Sequence, residues 1–218
     1  MQPEQGLPQP QRTWAILTVF FGLIMAVLDG SIANIALPSI SRQLQAEPSS
    51  TIWVVNAYQL TVTVCLLPLS SLGDILGYKR VYRVGLATFL VGSLLCALSV
   101  NLPMLVAARV LQGIGGAGIM SVNTALVRFI YPPTKLGRGI GLNAVVVGVT
   151  IAVAPSLGAM ILAVASWQWL FAVNVPVAIL ALAMSRRSLP ETPPQPRDFH
   201  YPSALLSAPV FGLFILSL

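Results

Sequence analysis

Residues 14–37 read WAILTVFFGLIMAVLDGSIANIAL, a run that carries a single charge, at Asp29. A helix needs about 20 apolar residues to cross the hydrocarbon core of a bilayer, so this run predicts a membrane-spanning helix. An ionised carboxylate near mid-bilayer costs about 2.5 to 3.5 kcal/mol on insertion scales, and such acids usually face a partner or an ion or substrate path. Asp29 is therefore the first candidate for a functional residue.

The composition of the whole chain indicates the same class. Hydrophobic residues make up 56% of the 218 residues and charged residues 8%, a balance far from that of a soluble domain. Membrane-length apolar segments follow one another at residues 14–37, 52–72, 81–100, 102–127, 140–163 and 166–184. We therefore predict an all-α integral membrane protein, with a short cytoplasmic tail at residues 1–13 and one six-span domain at residues 14–184.

The C-terminal part, residues 185–218, contains a proline-rich segment followed by a short apolar segment. Residues 185–202 contain five prolines, which disfavour helix and predict an extended cytoplasmic linker at a domain boundary. A seventh apolar segment begins near Ser203 and reaches Leu218 after about 16 residues, which is short of a crossing. We expect residues 203–218 to be the start of a truncated seventh span.

Lys and Arg are distributed unequally between the two ends of the predicted spans. Ten lie on the side of the N-terminal tail, and Arg42 alone lies on the opposite side. The side richer in Lys and Arg is normally cytoplasmic, so the N-terminus is predicted to be in the cytoplasm. The net charge of +6 reflects this bias, and it gives no support to nucleic-acid binding.

A second intramembrane charge, Arg109, lies in the fourth predicted span and shares a helical face with Gln112. At 1.5 Å per residue, Asp29 lies roughly 22 Å from the cytoplasmic face and Arg109 roughly 10 Å from the outer face. In a core of about 30 Å these depths agree within a few ångströms, so the two charges can pair. A pair in a functional cavity is favoured, and a static ion pair that only joins two helices is the alternative.

Gln112 is a candidate for a cavity lining. Other polar side chains in the first two spans are also candidates for a cavity lining, or alternatively for hydrogen bonds between helices: Asn34, Asn56, Tyr58 and Gln59. The spans contain one acid and no histidine. That is too little for paired acid–base or metal chemistry, so we expect no enzyme, no cofactor and no metal site.

Glycines in the fourth span satisfy a G-x-G-x-x-G pattern at Gly113, Gly115 and Gly118. A dinucleotide site requires a preceding strand and a following acid, so close packing of helices is the favoured interpretation. The same interpretation is applied to Gly137 with Gly141 and to Gly158 with Ala159. Pro155, in the fifth span, is expected to kink that helix or give it a hinge.

Several segments together resemble the major facilitator superfamily, and within it the N-terminal half of the 14-span drug:proton antiporters. LDGSIANIALP at residues 28–38 is similar to that group's first-helix signature, with Ser31 where Thr is typical. LGDILGYKR at residues 72–80 resembles the motif between helices two and three, although Ser70 and Ile75 depart from it. The fourth-span segment from Arg109 through Gln112 to Gly118 is similar to the family's arginine motif.

The fifth and sixth spans extend the resemblance. Gly141, Pro155 and Gly158 match the spacing of the fifth-helix antiporter motif, in which Thr150, Ala154 and Ala159 replace glycines. Residues at the start of the sixth span are similar to the family's sixth-helix opening: Trp167, Trp169, Phe171, Asn174 and Pro176.

The resemblance implies proton-coupled efflux of drugs or lipophilic cations, with a proton as the coupling ion. Asp29 would exchange a proton for a cationic substrate, and Arg109 would modulate that exchange. A loop that gates the cytoplasmic side would include Asp74, Gly77, Lys79 and Arg80. The family builds its transporters from two six-helix halves, so this chain is expected to be one half that lacks its C-terminal partner.

The expected partners are the lipid bilayer of the bacterial inner membrane, a small amphipathic or cationic substrate, and the missing half. Three alternatives stay open for the chain itself: a fragment of a longer product, an inactive truncated relic, and a half that requires a partner. A membrane-embedded sensor or scaffold without transport is the alternative from a different functional class.

Overall fold

The computed structural model describes residues 6–192, in which eight α-helices form six membrane-length apolar spans. No strand occurs within that range, so the predicted all-α membrane architecture is confirmed. The helices are α1 (Gln11–Gln43), α2 (Pro48–Thr51), α3 (Trp53–Leu76), α4 (Tyr78–Ala97), α5 (Leu102–Ile130), α6 (Leu136–Val164), α7 (Gln168–Ala172) and α8 (Asn174–Ser188). Most of the predicted linker and the whole predicted seventh span lie outside the described residues.

Several helices are longer than the apolar segments that predicted them. The helix predicted at residues 14–37 begins at Gln11 and ends at Gln43, and the sixth-span helix continues to Ser188. Hydropathy marks only the part of a helix that lies in hydrocarbon, whereas backbone hydrogen bonds continue into the polar interface.

The sixth span divides into α7 and α8 at Val173, which keeps helical dihedral angles. Pro176 explains the division, because its ring nitrogen cannot donate to the carbonyl four residues earlier. Pro155 lies inside α6, which continues as one helix, and the predicted kink or hinge there stays a prediction.

Helix α5 lies at the centre of the bundle and packs closely against α3 and α4. A Cβ atom added at Gly115 would come within 2.6 Å of Phe89 Cα, and one at Gly118 within 3.0 Å of Gly85 Cα. On the other side of α5, a Cβ added at Gly113 would lie 2.8 Å from Thr61 Cβ. The packing interpretation of these glycines is therefore confirmed.

Helix α6 lies at the margin of the bundle and contacts it mainly through α1. A Cβ added at Gly158 would lie 2.7 Å from Ile32 Cγ1, so this glycine allows the close approach that was predicted. Apart from the adjoining residues and nearby backbone of α6 itself, no atom of residues 6–192 comes within 4 Å of a Cβ added at Gly137 or Gly141. The packing prediction is wrong for that pair within the described bundle, because those positions of α6 face away from it.

Two apolar clusters fill the interior at different depths. The first includes Val19, Tyr82, Leu86, Phe89 and Ile119. The second includes Ile32, Val54, Cys96, Leu105 and Trp167. The residues between the two clusters along α1, α4 and α5 include the polar side chains of the candidate site.

The basic end of the bundle is the end at which α3 stops and α4 begins. The N-terminal segment meets the end of α5 there, since Leu7 N donates to Ile130 O at 3.0 Å. The segment after α8 meets the α3–α4 turn, where Lys79 N donates to Thr192 Oγ1 at 3.3 Å. The connections that carry most of the Lys and Arg therefore lie together.

Candidate functional site

Asp29 on α1 and Arg109 on α5 form a completely buried ion pair. Arg109 Nη1 donates to Asp29 Oδ2, and neither side chain has any exposed surface in the described bundle. The pairing that equal depth in the membrane allows is therefore present, and the functional cavity favoured around it stays a prediction. The pair lies between the two apolar clusters, where water does not screen its charges.

The second oxygen of the carboxylate is held by two amides. Asp29 Oδ1 accepts from Gln112 Nε2 and from Asn174 Nδ2, each at 2.9 Å. Hydrogen bonds to a charged group contribute about 1.5 to 3 kcal/mol each. Three helices, α1, α5 and α8, thus meet at a single carboxylate.

The guanidinium of Arg109 is surrounded by further partners. Its Nε donates to Val54 O of α3 at 2.9 Å, and its Nη1 also donates to Gln112 Oε1 at 2.7 Å. The guanidinium carbon lies 4.2 Å from the ring centroid of Tyr58 and 5.4 Å from that of Phe171. Aromatic faces attract a desolvated cation, so the rings stabilise the charge where Nη2 has no hydrogen bond among the described residues.

Gln112 connects the ion pair to α4. Its Nε2 donates to Ser93 Oγ at 2.8 Å as well as to Asp29, and its Oε1 accepts a weak bond from Cys96 Sγ at 3.4 Å. We call the set Asp29, Ser93, Arg109, Gln112 and Asn174 the polar layer. Because the Gln112 amide both donates from Nε2 and accepts at Oε1, its neighbours fix its orientation.

The cavity candidates of the first two spans divide into two groups. Tyr58 is buried, donates from its hydroxyl to Ala26 O at 2.8 Å, and places its ring against Arg109. Asn34, Asn56 and Gln59 are exposed on the surface of the described bundle. The structure does not bring these three into the polar layer.

The residues of the predicted gating loop lie at the basic end. Gly77 joins α3 to α4 with φ +91°, a backbone conformation that L residues with side chains rarely adopt. Lys79 Nζ lies 2.7 Å from Glu191 Oε1, and Asp74 Oδ1 accepts from the Tyr78 hydroxyl at 2.5 Å. Arg80 is exposed beside this turn.

The three matching residues of the antiporter motif on α6 differ in surroundings. Gly158 is buried against α1, whereas Gly141 and Pro155 are exposed in the described bundle. Gly158 therefore faces the helix that carries Asp29.

Two members of the polar layer were missed as site residues by sequence reasoning. The sequence resemblance includes Asn174 but assigns it no role, although an amide inside an apolar span itself indicates a buried hydrogen-bond partner. Ser93 carries no such signal, because single serines are common in membrane helices and bond to their own backbone.

The amino-acid sequence of the chain matches a known protein family. The family described as the Major Facilitator Superfamily matches residues 19–217. A protein named uncharacterized transporter YebQ, from Escherichia coli (strain K12), is 55% identical over 98% of this chain and 47% of its own length.

Two further relatives have more specific names. The riboflavin transporter RibZ of Clostridioides difficile (strain 630) is 34% identical over 95% of this chain and 46% of its own length. The putative multidrug resistance protein MdtD of Salmonella typhi is 36% identical over 96% of this chain and 44% of its own length. This chain therefore spans about half the length of the curated relatives it matches.

The fold is also present in solved structures. A crystal structure of the peptide transporter POT in complex with sulfate superposes with a TM-score of 0.72 at 14% identity. The superposition covers 93% of this chain and 44% of that one. At this identity the likeness concerns the arrangement of helices alone.

Proposed function

Because the chain belongs to the major facilitator superfamily, we propose that this multi-pass membrane protein forms the N-terminal half of a transporter that couples substrate movement to protons. The observation that carries the proposal is the buried Asp29–Arg109 pair in the polar layer. Ionisable groups inside membrane spans are expensive and usually mark proton or substrate paths.

The charges of that pair support the proposed proton coupling. A proton on Asp29 neutralises the carboxylate and leaves Arg109 without its counter-ion in a low-dielectric interior, which is costly. The guanidinium would then move toward another partner. Since Arg109 also holds the Val54 carbonyl, its movement would change the contact between α5 and α3.

We propose export of a small amphipathic substrate, with a lipophilic cation as the favoured class. The name of MdtD, a putative multidrug resistance protein, supports export of drugs in general, and the name of RibZ makes riboflavin the second substrate to test. A cation would compete with the proton for Asp29, so an inward proton gradient would drive the cation outward. The chain itself would carry out no chemical conversion and would need no cofactor.

The proposed transporter requires a second bundle beside this one. Helix α6 supports this, because apolar side chains on it are exposed in the described bundle, among them Val145, Val149 and Ile151. Such a surface fits either lipid or a C-terminal half, and transporters of this kind rock two bundles about a site near the membrane midplane.

A non-transporting scaffold or sensor is the competing function. It is favoured by one observation, that the polar layer is closed on all sides in the described bundle, with Asp29 and Arg109 fully buried. In that case the ion pair would only hold α1 against α5, and no proton would be exchanged.

Asp29→Asn separates these functions, because asparagine keeps the shape of the side chain but cannot exchange a proton. In vesicles that contain the intact gene product, we expect the variant to lose proton-driven accumulation of ethidium, with riboflavin measured in parallel. Proton flux, followed with an internal pH dye, should become insensitive to substrate. Expression and unfolding of the variant are measured alongside.

The matched control is Glu47→Gln, which removes an exposed acid from the connection before α2 and should leave both fluxes unchanged. Unimpaired coupling in Asp29→Asn would remove Asp29 from the mechanism. Absence of any proton-linked flux in the unmodified protein, for either substrate, would favour the scaffold.

We also propose that the basic end faces the cytoplasm of a bacterial cell, with the protein in the inner membrane. A membrane-impermeant maleimide should label Ser49→Cys in intact cells, and it should label Lys135→Cys only after the membrane is permeabilised. Both positions are exposed, and the native Cys65 and Cys96 lie inside spans, so the unmodified protein gives the background. The opposite pattern of labelling would reverse the proposed orientation.

A further inference from the structure

A basic cavity of about 580 Å³ lies at the basic end, between the α3–α4 turn, α4 and α8. The described residues that line it include four basic side chains, Lys79, Arg80, Arg83 and Arg186, and one acid, Glu191. The cavity thus concentrates positive charge at the level of the membrane surface.

The charges in this basic cavity are only partly compensated. Glu191 pairs with Lys79 at 2.7 Å. Within residues 6–192, neither Arg80 nor Arg186 has an ion-pair partner, and the buried Nε of Arg83 makes no hydrogen bond. Three guanidinium groups are therefore available for an anion, and guanidinium matches phosphate oxygens in geometry as well as in charge.

An apolar cleft continues from the basic cavity into the membrane. It has a volume of about 120 Å³, lies between α3, α4 and α5, and shares Leu76, Arg80 and Val84 with the basic cavity. It reaches Thr88, which is roughly 12 Å along α4 from Arg80 at 1.5 Å per residue. Val84 is 60% exposed, so the junction of the two recesses opens on the outer surface of the helices.

We propose that the two recesses together bind one anionic phospholipid. The phosphate would lie among Arg80, Arg83 and Arg186, and the start of one acyl chain would follow the apolar cleft. Basic pockets between membrane helices at the cytoplasmic side are suited to anionic headgroups. A soluble phosphate would use the cavity alone and would leave the adjoining apolar cleft unexplained.

A lipid bound in this way would join parts of the bundle that are distant in sequence. Arg83 and Arg186 belong to α4 and α8, and Gly77 of the α3–α4 turn lines the same cavity. The site does not depend on proton coupling, so failure of the transport test would leave it unaffected.

Native mass spectrometry of the full chain, released from detergent with added lipid, tests the proposal. We expect retention of one phosphatidylglycerol in preference to a phosphatidylcholine with identical acyl chains. Arg83→Gln with Arg186→Gln should weaken that retention about tenfold or more for each guanidinium removed. The matched control is Arg187→Gln, an exposed arginine next to Arg186 that does not line the cavity.

Soluble competitors distinguish the lipid from a free phosphate. Glycerol 3-phosphate and inorganic phosphate, each at the concentration of the lipid, should not displace phosphatidylglycerol, because they lack the acyl chain. Displacement by either would overturn the assignment to a lipid. Equal retention of the two lipids by the unmodified protein would also overturn it, and this result does not depend on any variant folding.

Discussion

Replacing Arg109 with methionine should lower the free energy of unfolding by about 3 to 5 kcal/mol, because it leaves the Asp29 carboxylate buried without its counter-ion. Methionine keeps much of the length of the side chain, so the loss of stability comes mainly from removing the charge and less from the change in side-chain volume. Val54 O would lose its donor, and the rings of Tyr58 and Phe171 would lose the cation between them. Equilibrium unfolding in mixed micelles with a rising fraction of SDS provides the measurement.

A double-mutant cycle isolates the pair from these other contacts. Asp29→Asn alone leaves the guanidinium unpaired, whereas Asp29→Asn with Arg109→Met removes both charges. The double variant should therefore be less destabilised than the sum of the two single variants. Arg128→Met, an exposed arginine on the same helix, serves as control and should change stability by no more than about 0.5 kcal/mol. Additive losses in the cycle would show that the two charges do not stabilise each other.

Gly115→Leu should destabilise the protein by about 3 kcal/mol or more, since overpacking is most costly where the neighbouring atoms cannot yield. The atoms nearest to an added Cβ are the backbone of Phe89 and the carbonyl of Gly85, so α4 and α5 would have to separate. Separation would also pull Ser93 away from Gln112. The same unfolding measurement applies.

Gly148→Leu is the matched control on α6, where no described atom beyond the adjoining residues and nearby backbone of α6 lies within 4 Å of an added Cβ. Leucine is a better helix former than glycine, so this variant should be neutral or more stable by up to about 1 kcal/mol. Equal losses at Gly115 and Gly148 would contradict the close packing of α4 against α5.

The helices and the ion pair could be predicted from the sequence because each depends on a local or periodic property. Apolar length predicts each span, and the rise per residue gives Asp29 and Arg109 the same depth. The packing role of the α5 glycines is predictable because a helix surface without side chains lets the backbone of a neighbouring helix approach closely. These inferences need no knowledge of which helices are neighbours.

The remaining features depend on how the helices are rotated about their axes. Asn34, Asn56 and Gln59 lie on exposed faces, and an apolar span with scattered polar residues does not reveal which face is buried. Asn174 enters the polar layer because α8 packs beside α1. Gly141 lies on an outward face of α6, which also depends on how that helix is rotated about its axis.

The polar layer also determines how far any helix can slide along its neighbours. When helices slide, their apolar side chains replace contacts with one neighbour by contacts with another neighbour or with lipid. This costs little free energy, because lipid tails are as apolar as leucine. A slide of α5 by one turn, about 5.4 Å, would break the hydrogen bonds that Arg109 and Gln112 make to the other helices. The polar layer therefore resists axial sliding of α1, α3, α4, α5 and α8, together with hydrogen bonds elsewhere such as that from Tyr82 to Thr18 O. The bundle would then move by tilting as a unit while its helices keep their relative heights.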